Sequence, residues 1–162
     1  NDLGNLFNRT LTMTLKYCKG KVPRPSTFEG IDERLKETAI EATREVARYM
    51  NDIAFNKALD AIWILVSMTN KYIDETAPWI LARDDDKRER LATVIFSILE
   101  SLRFIAVLLF PFMPASSEKM WKALGISQDI SKQNPVGDIE WGKLVEGATV
   151  SKIPPLFPRI EQ

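Results

Sequence analysis

The chain has 162 residues, room for one domain with a sizeable hydrophobic core. Lysine plus arginine and aspartate plus glutamate number 22 each, so the formal net charge is zero. That excludes a general grip on a polyanion such as duplex DNA and leaves room only for a local nucleic-acid contact. The complete lack of histidine removes the commonest general acid/base and the commonest metal ligand.

Apolar groups at Leu3, Leu6, Phe7, Leu11, Met13, Leu15 and Tyr17 predict a first helix over 3–17, entering from an upstream segment because Asn1 is not a methionine. Asn1, Asn5, Asn8, Arg9 and Lys16 are its polar positions, and Asn5 and Arg9, four apart, are neighbours on one face. Cys18 is the single cysteine, which cannot make an internal disulfide and indicates a reducing compartment, the cytoplasm. Without a histidine or second cysteine beside it, it reads as a small buried hydrophobe. Gly20, Pro23 and Pro25 make 18–26 a loop. From Arg9 to Phe28 there is no acid, whereas Arg9, Lys16, Lys19, Lys21 and Arg24 are all basic, the one single-signed block in the chain.

A second helix over 29–50 follows, with Ile31, Leu35, Ala39, Ala42, Val46 and Tyr49 on its core face. Asn51-Asp52 is expected to turn the chain and cap a third helix. The stretch from Phe55 to Leu81 is the one around which the rest is expected to be organised. Phe55, Leu59, Ile62, Val66, Ile73 and Ile80 form an apolar stripe, widened by Ala58, Ala61, Trp63, Leu65 and Met68, and Trp63 is assigned to the core. Pro78 must end or kink this helix, or begin a new short one capped by Thr76, and either way it fixes Trp79 at a helix break.

Arg83–Asp86 is a charged turn, and 87–110 a fourth helix with Leu91, Val94, Ile95, Ile98, Leu102, Ile105, Ala106 and Leu109 in register. Its most apolar run, 105–113, is too short to span a membrane and is broken by Pro111. Pro111-Phe112-Met113-Pro114 stops it, and a short fifth helix over 115–124 ends at Gly125. Beyond lie a turn at 134–137, a short piece around Trp141 and a polyproline-like tail from Ile153 to Pro158. Trp141, Leu156 and Phe157 are too apolar to stay in water and are expected to pack back. The fold class is all-α: an antiparallel bundle of four long helices plus a short fifth, with an irregular C-terminal tail packed on it. Residues 1–125 form the bundle and 126–162 the tail, within one domain.

Two segments carry a family resemblance. Asp2-Leu3-Gly4-Asn5-Leu6-Phe7-Asn8-Arg9-Thr10, followed by Gly20-Lys21-Val22-Pro23, resembles the entry to the anticodon-binding helical domain of methionyl-tRNA synthetases. Asn70-Lys71-Tyr72-Ile73-Asp74-Glu75-Thr76-Ala77-Pro78-Trp79 resembles that family's segment ending in Ala-Pro-Trp. Pro111-Phe112-Met113-Pro114 and the closing Leu156-Phe157-Pro158-Arg159-Ile160-Glu161 fit as well, and the resemblance covers essentially the whole chain.

The resemblance implies a bundle that reads the CAU anticodon loop of methionine tRNAs. Trp79, held by Pro78, is then the ring on which the first anticodon base stacks, and Asn5 and Arg9 read base edges. Unstacked bases on aromatic rings with their edges hydrogen-bonded are the general mode of RNA-loop recognition. Asparagine offers donor and acceptor, and arginine a planar fork of donors. Taken singly, Trp79 reads as packing and Asn5 and Arg9 as surface residues; the resemblance joins them into one site. Lys16, Lys19, Lys21 and Arg24 are candidate phosphate contacts, a reading not carried over from the family. The family activates methionine with ATP and magnesium through a His-Ile-Gly-His signature and a Lys-Met-Ser-Lys-Ser loop. Neither is present here: there is no histidine, and Ser117-Glu118-Lys119-Met120 does not match the second. The parent's metal-binding cysteines are absent too, so no catalytic residue, metal ligand or cofactor is assigned within this chain. The implied partners are the anticodon loop and a catalytic domain on the same polypeptide, with no membrane or DNA. The alternatives are the corresponding bundle of a leucine, isoleucine, valine or cysteine enzyme, and a helical protein-interaction module with no RNA role.

Overall fold

The computed structural model describes residues 2–134 and 139–158. Asn1, most of the expected turn at 134–137, and the last residues of the tail, Arg159, Ile160 and Glu161, lie outside the described residues.

Among the described residues the elements are α1 (Asp2–Cys18), α2 (Gly30–Asn51), α3 (Phe55–Thr76), the single turn α4 (Pro78–Leu81), α5 (Arg88–Leu109) and α6 (Pro114–Ala123), with 3₁₀ turns at Asp85–Lys87 and Ile130–Lys132. The four long helices alternate in direction. The start of α2 meets the end of α3 where the Tyr72 hydroxyl donates to Asp32, and the start of α3 meets the end of α5 where Phe55 and Phe112 pack edge to face at 6.4 Å. The end of α1 lies beside the start of α5, around a cleft that Lys16, Tyr17, Arg88 and Leu91 share.

The element at the centre is α5, not the expected third helix. It packs on α1, α2, α3, α4 and α6, and every residue from Thr93 to Leu109 is buried. The segment Asp85–Leu109 is long and apolar enough to cross a membrane by length and composition, but 94% of its most apolar window is buried inside the bundle. A helix apolar all round is the central helix of a core.

The stripe expected on α3 is corrected at three places. Phe55 is 49% exposed because it is the first residue of the helix, where the Phe112 ring covers only one side of it. Ile80 is 55% exposed because Ala77 breaks the helix in left-handed conformation, φ 45°, and so resets the phase of the face. Trp63 is 38% exposed, off the arc formed by Ala58, Ala61, Ile62, Leu65, Val66, Thr69 and Ile73. The capping expectations change as well. Asp52 caps the C-terminus of α2 rather than opening α3, whose N-cap is Ala54. The Thr76 hydroxyl donates back to the Tyr72 carbonyl, and Ala77, not Thr76, precedes α4.

The irregular tail is bound to the bundle. Leu144, Val150 and Leu156 are buried, and the Trp141 ring lies 5.6 Å from that of Phe104. The buried Glu100 carboxylate accepts from the backbone N–H of Gly142 (3.0 Å) and Leu144 (2.7 Å) and from Arg103 Nε (3.1 Å), while Arg103 also donates to the Glu140 carbonyl. Val150 N–H donates to the Gly20 carbonyl and Lys21 Nζ to Thr149 Oγ1, tying the tail to the end of α1.

Candidate nucleic-acid interface

The helix break carries the site. α3 ends where Ala77 N–H donates to the Ile73 carbonyl (2.9 Å) and Ala77 turns to φ 45°, ψ 65°. Pro78 has no N–H to lose at the first position of α4, and its ring is buried, so the backbone that holds Trp79 is fixed on both sides. Trp79 is half-buried, one part of its ring against the core and the rest in solvent.

The structure brings Arg9 to this ring. Its guanidinium carbon lies 5.1 Å from the Trp79 centroid, a cation–π arrangement between residues far apart in sequence. Arg9 also pairs with Asp74 at 3.2 Å, with side chains 41% and 67% exposed. A pair so exposed to water contributes at most about 1 kcal/mol, so Arg9 is oriented but not locked. Asn5 sits one turn before Arg9 on α1, exposed, with no hydrogen bond to the described residues. Because Arg9 meets Asp74 on α3 while Lys16 and Cys18 border the same cleft as Ala82, α1 runs in the direction of α3. Asn5 therefore lies further back along α3 than Asp74.

The basic block is dispersed. Lys16 lies over the Tyr17 ring at 5.6 Å, about two turns beyond Arg9, and Lys21 is engaged by Thr149. Lys19 and Arg24 are exposed, Lys19 in left-handed conformation at φ 52°. Cys18 is half-buried, and burial pushes its thiol up to about 11, which keeps it protonated and unreactive at neutral pH.

The sequence names Asp74 only within the segment ending in Ala-Pro-Trp and gives it no role of its own, although a carboxylate on the outer side of α3 is within reach of a cation on a neighbouring helix. Nor does the sequence single out the clamp that holds this end of the bundle. The buried Asp32 carboxylate on α2 accepts from Arg90 Nη1 (2.5 Å) and Nη2 (3.1 Å) on α5, from the Tyr72 hydroxyl on α3 and from Glu29 N–H (2.7 Å). Burial pushes this carboxyl upward, but Arg90, Glu29 N–H and Tyr72 outweigh it and hold it below the usual carboxylate range. Burial and the same carboxylate raise the Tyr72 hydroxyl far above its ordinary value. For Arg90, Asp32 outweighs the opposing effect of burial and raises the guanidinium further. The only sequence signal was an acid three residues into a helix, which reads as an ordinary N-terminal cap. No group of three or more Cys, Asp or Glu side chains is placed to hold a metal ion among the described residues.

Comparison with known proteins gives the family and the fold. The family model described as the anticodon-binding domain of methionyl tRNA ligase matches residues 22–162. The methionine–tRNA ligase of Caldanaerobacter subterraneus subsp. tengcongensis is 48% identical over 161 residues, 99% of this chain and 25% of the relative. That of Fusobacterium nucleatum subsp. nucleatum is 44% identical over 161 residues, again 99% and 25%. The crystal structure of the free-state Mycobacterium tuberculosis methionyl-tRNA synthetase superimposes with a TM-score of 0.89 at 31% identity, over 100% of this chain and 32% of that one. The same synthetase in complex with methionyl-adenylate gives 0.89 at 32% identity, over 98% and 31%. The architecture is thus that of a helical anticodon-binding domain. The chain belongs to the anticodon-binding domain family of methionyl-tRNA ligases, and it spans about a quarter of the length of the curated relatives it matches.

Proposed function

We propose that this bundle reads the CAU anticodon of methionine tRNAs. The first anticodon base stacks on the solvent side of Trp79, which Pro78 holds at the helix break, and Arg9 and Asn5 hydrogen-bond to base edges. The observation that carries this reading is the Arg9 guanidinium beside the half-buried Trp79 ring: a planar fork of donors next to a partly accessible indole is what an unstacked base needs for edge and face together. Lys16, Lys19 and Arg24 are free to meet phosphates of the same loop, with Lys21 shared with Thr149. Residues 1–125 act as the reading bundle and 126–162 as a tail of the same domain. In the full-length polypeptide a catalytic domain attaches methionine using ATP and magnesium, in the cytoplasm. The bundle contributes by holding the tRNA so that its distant end reaches that domain. The named relatives are all methionine enzymes, which favours this reading over a bundle of another amino acid's synthetase or an RNA-free interaction module.

The test is a titration of an RNA stem-loop with a CAU anticodon, followed by tryptophan fluorescence, against the same loop with its first anticodon base changed. A preference of about tenfold or more for CAU is expected, lost in Trp79→Ala, because a base contact of this kind contributes about 1–3 kcal/mol. Equal affinity for both loops, with Trp79→Ala unchanged, overturns the assignment.

A further inference from the structure

Trp63 is the side chain the site leaves unexplained. A large ring 38% exposed on the middle of a helix is not core packing, and it makes no ring, cation or hydrogen-bond contact with the described residues. Its place on α3 is specific. Eleven residues before Asp74 is three helical turns, so Trp63 shares Asp74's face about 16 Å back along the axis. Ser67 and Asn70 lie between them on that face, and Asn56 and Asp60 continue it on the far side. Asn70 Nδ2 donates to the Val66 carbonyl, which leaves its oxygen as an acceptor. Because α1 runs alongside α3 in the same direction, Asn5 falls on the Trp63 side of Arg9. The groups along this side are then, in order, Trp79, the Arg9–Asp74 pair, Asn5 with Asn70, Ser67 and Trp63.

The composition of this face decides what it can bind. Protein-docking patches are contiguous apolar areas, and here one ring stands among amides, a hydroxyl and carboxylates. Asp60 and Asp74 stand on the α3 face, and its nearby cations are engaged, Arg9 with Asp74 and Lys71 with Glu75, so the stretch around Trp63 gives phosphates little hold and a strand lying along it turns its bases inward. An indole face flanked by short hydrogen-bonding side chains takes an uncharged base.

We infer that Trp63 is a second stacking platform, for a nucleotide of the same RNA loop outside the position stacked on Trp79. The inference rests on the anticodon-reading function proposed above and adds to it a base-binding position at the far end of the α3 face. The two rings are too far apart for adjacent stacked bases, so the strand between them is extended, with its base edges passing Arg9, Asn5 and Asn70.

The experiment is a coupling analysis with the 162-residue chain, its fold checked by circular dichroism. Wild type, Trp63→Ala, Trp63→Phe and Trp79→Ala are titrated with the CAU stem-loop and with a series carrying one abasic nucleotide at each loop position in turn. Trp63→Ala is expected to weaken binding about five- to tenfold, the low end for one base stack because the ring is only partly exposed, and Trp63→Phe to restore most of it. One abasic position is expected to cost wild type the same factor and Trp63→Ala nothing, and to differ from the position coupled to Trp79. Unchanged binding by Trp63→Ala with a clear loss in Trp79→Ala overturns the second platform and leaves the anticodon site standing. Unchanged binding by both overturns the anticodon reading itself. A loss in Trp63→Ala coupled to no loop position makes Trp63 a structural residue, and protection of Trp63 from acrylamide in the full-length polypeptide without RNA makes it a protein contact; either result excludes the platform.

Discussion

Replacing Glu100 with alanine tests how the tail is held. The carboxylate is fully buried and accepts from Arg103, from Gly142 N–H and from Leu144 N–H. Without it, Arg103, itself 6% exposed, keeps the Glu140 carbonyl as a hydrogen-bond partner among the described residues and the Phe104 ring beneath its guanidinium, but no counter-charge. Breaking a buried pair by removing one partner costs about 3–5 kcal/mol. Each of the two amides left without an acceptor adds about 1–3 kcal/mol, less whatever water recovers once the tail loosens. Loosening therefore limits the loss to roughly 3–5 kcal/mol, a large part of the 5–15 kcal/mol by which a domain is stable. Glu100→Gln retains one acceptor and should lose about half as much. Urea unfolding gives the stability. Trypsin cleavage at Lys143 and Lys152 reports the tail, and both sites should be cut well below the unfolding midpoint in Glu100→Ala. Under conditions where the bundle is folded, binding of the CAU stem-loop should be unchanged, since the site lies on α1, α3 and α4. A loss below about 1 kcal/mol with no new cleavage would show that the carboxylate is not what anchors the tail.

Two further outcomes follow from the end of the bundle that carries the site. Because the Asp32 carboxyl is held below its ordinary range in the folded chain, it adds stability above its unfolded pKa of about 3.9, and that stability is lost as pH falls through the folded value. The melting temperature should thus be flat from about pH 8 to 5 and drop below about pH 4. Asp32→Asn should unfold about 6–20 °C lower at pH 7, the equivalent of 3–5 kcal/mol, and converge on wild type in acid; a constant gap at all pH values would point to packing instead. At Ala77, glycine removes a left-handed strain of roughly 1–2 kcal/mol and adds back about 0.4–1 kcal/mol of unfolded-chain entropy. Ala77→Gly should raise the urea midpoint by the equivalent of about 0.5–1 kcal/mol, and a lower midpoint would mean that the left-handed turn is not strained.

Much of the architecture is local information, and the sequence by itself determined it. Apolar spacing defined the four long helices to within a residue or two, and Pro78 and Pro111 set the breaks, because periodicity and a missing N–H act within one turn. The family motifs singled out Asn5, Arg9, Pro78 and Trp79 before any geometry was known. What only the tertiary structure decided depends on neighbours distant in the chain. α5 is central because five other helices and the tail surround it, which its own pattern, apolar on nearly every side, did not distinguish from an ordinary amphipathic face. Asp32 is buried because partners arrive from α3, α5 and the residue before α2, and Glu100 because partners arrive from α5 itself and the tail, whereas an acid on a helix otherwise reads as solvated. Phe55, Trp63 and Ile80 fit the stripe by spacing yet are exposed, since a helix end, the edge of the buried arc and the phase reset at Ala77 each remove the neighbour that would have covered them. Arg9 meets Trp79 for the same reason: the contact exists only when α1 and α3 run side by side, and that register is set by the burial of both helices against α5.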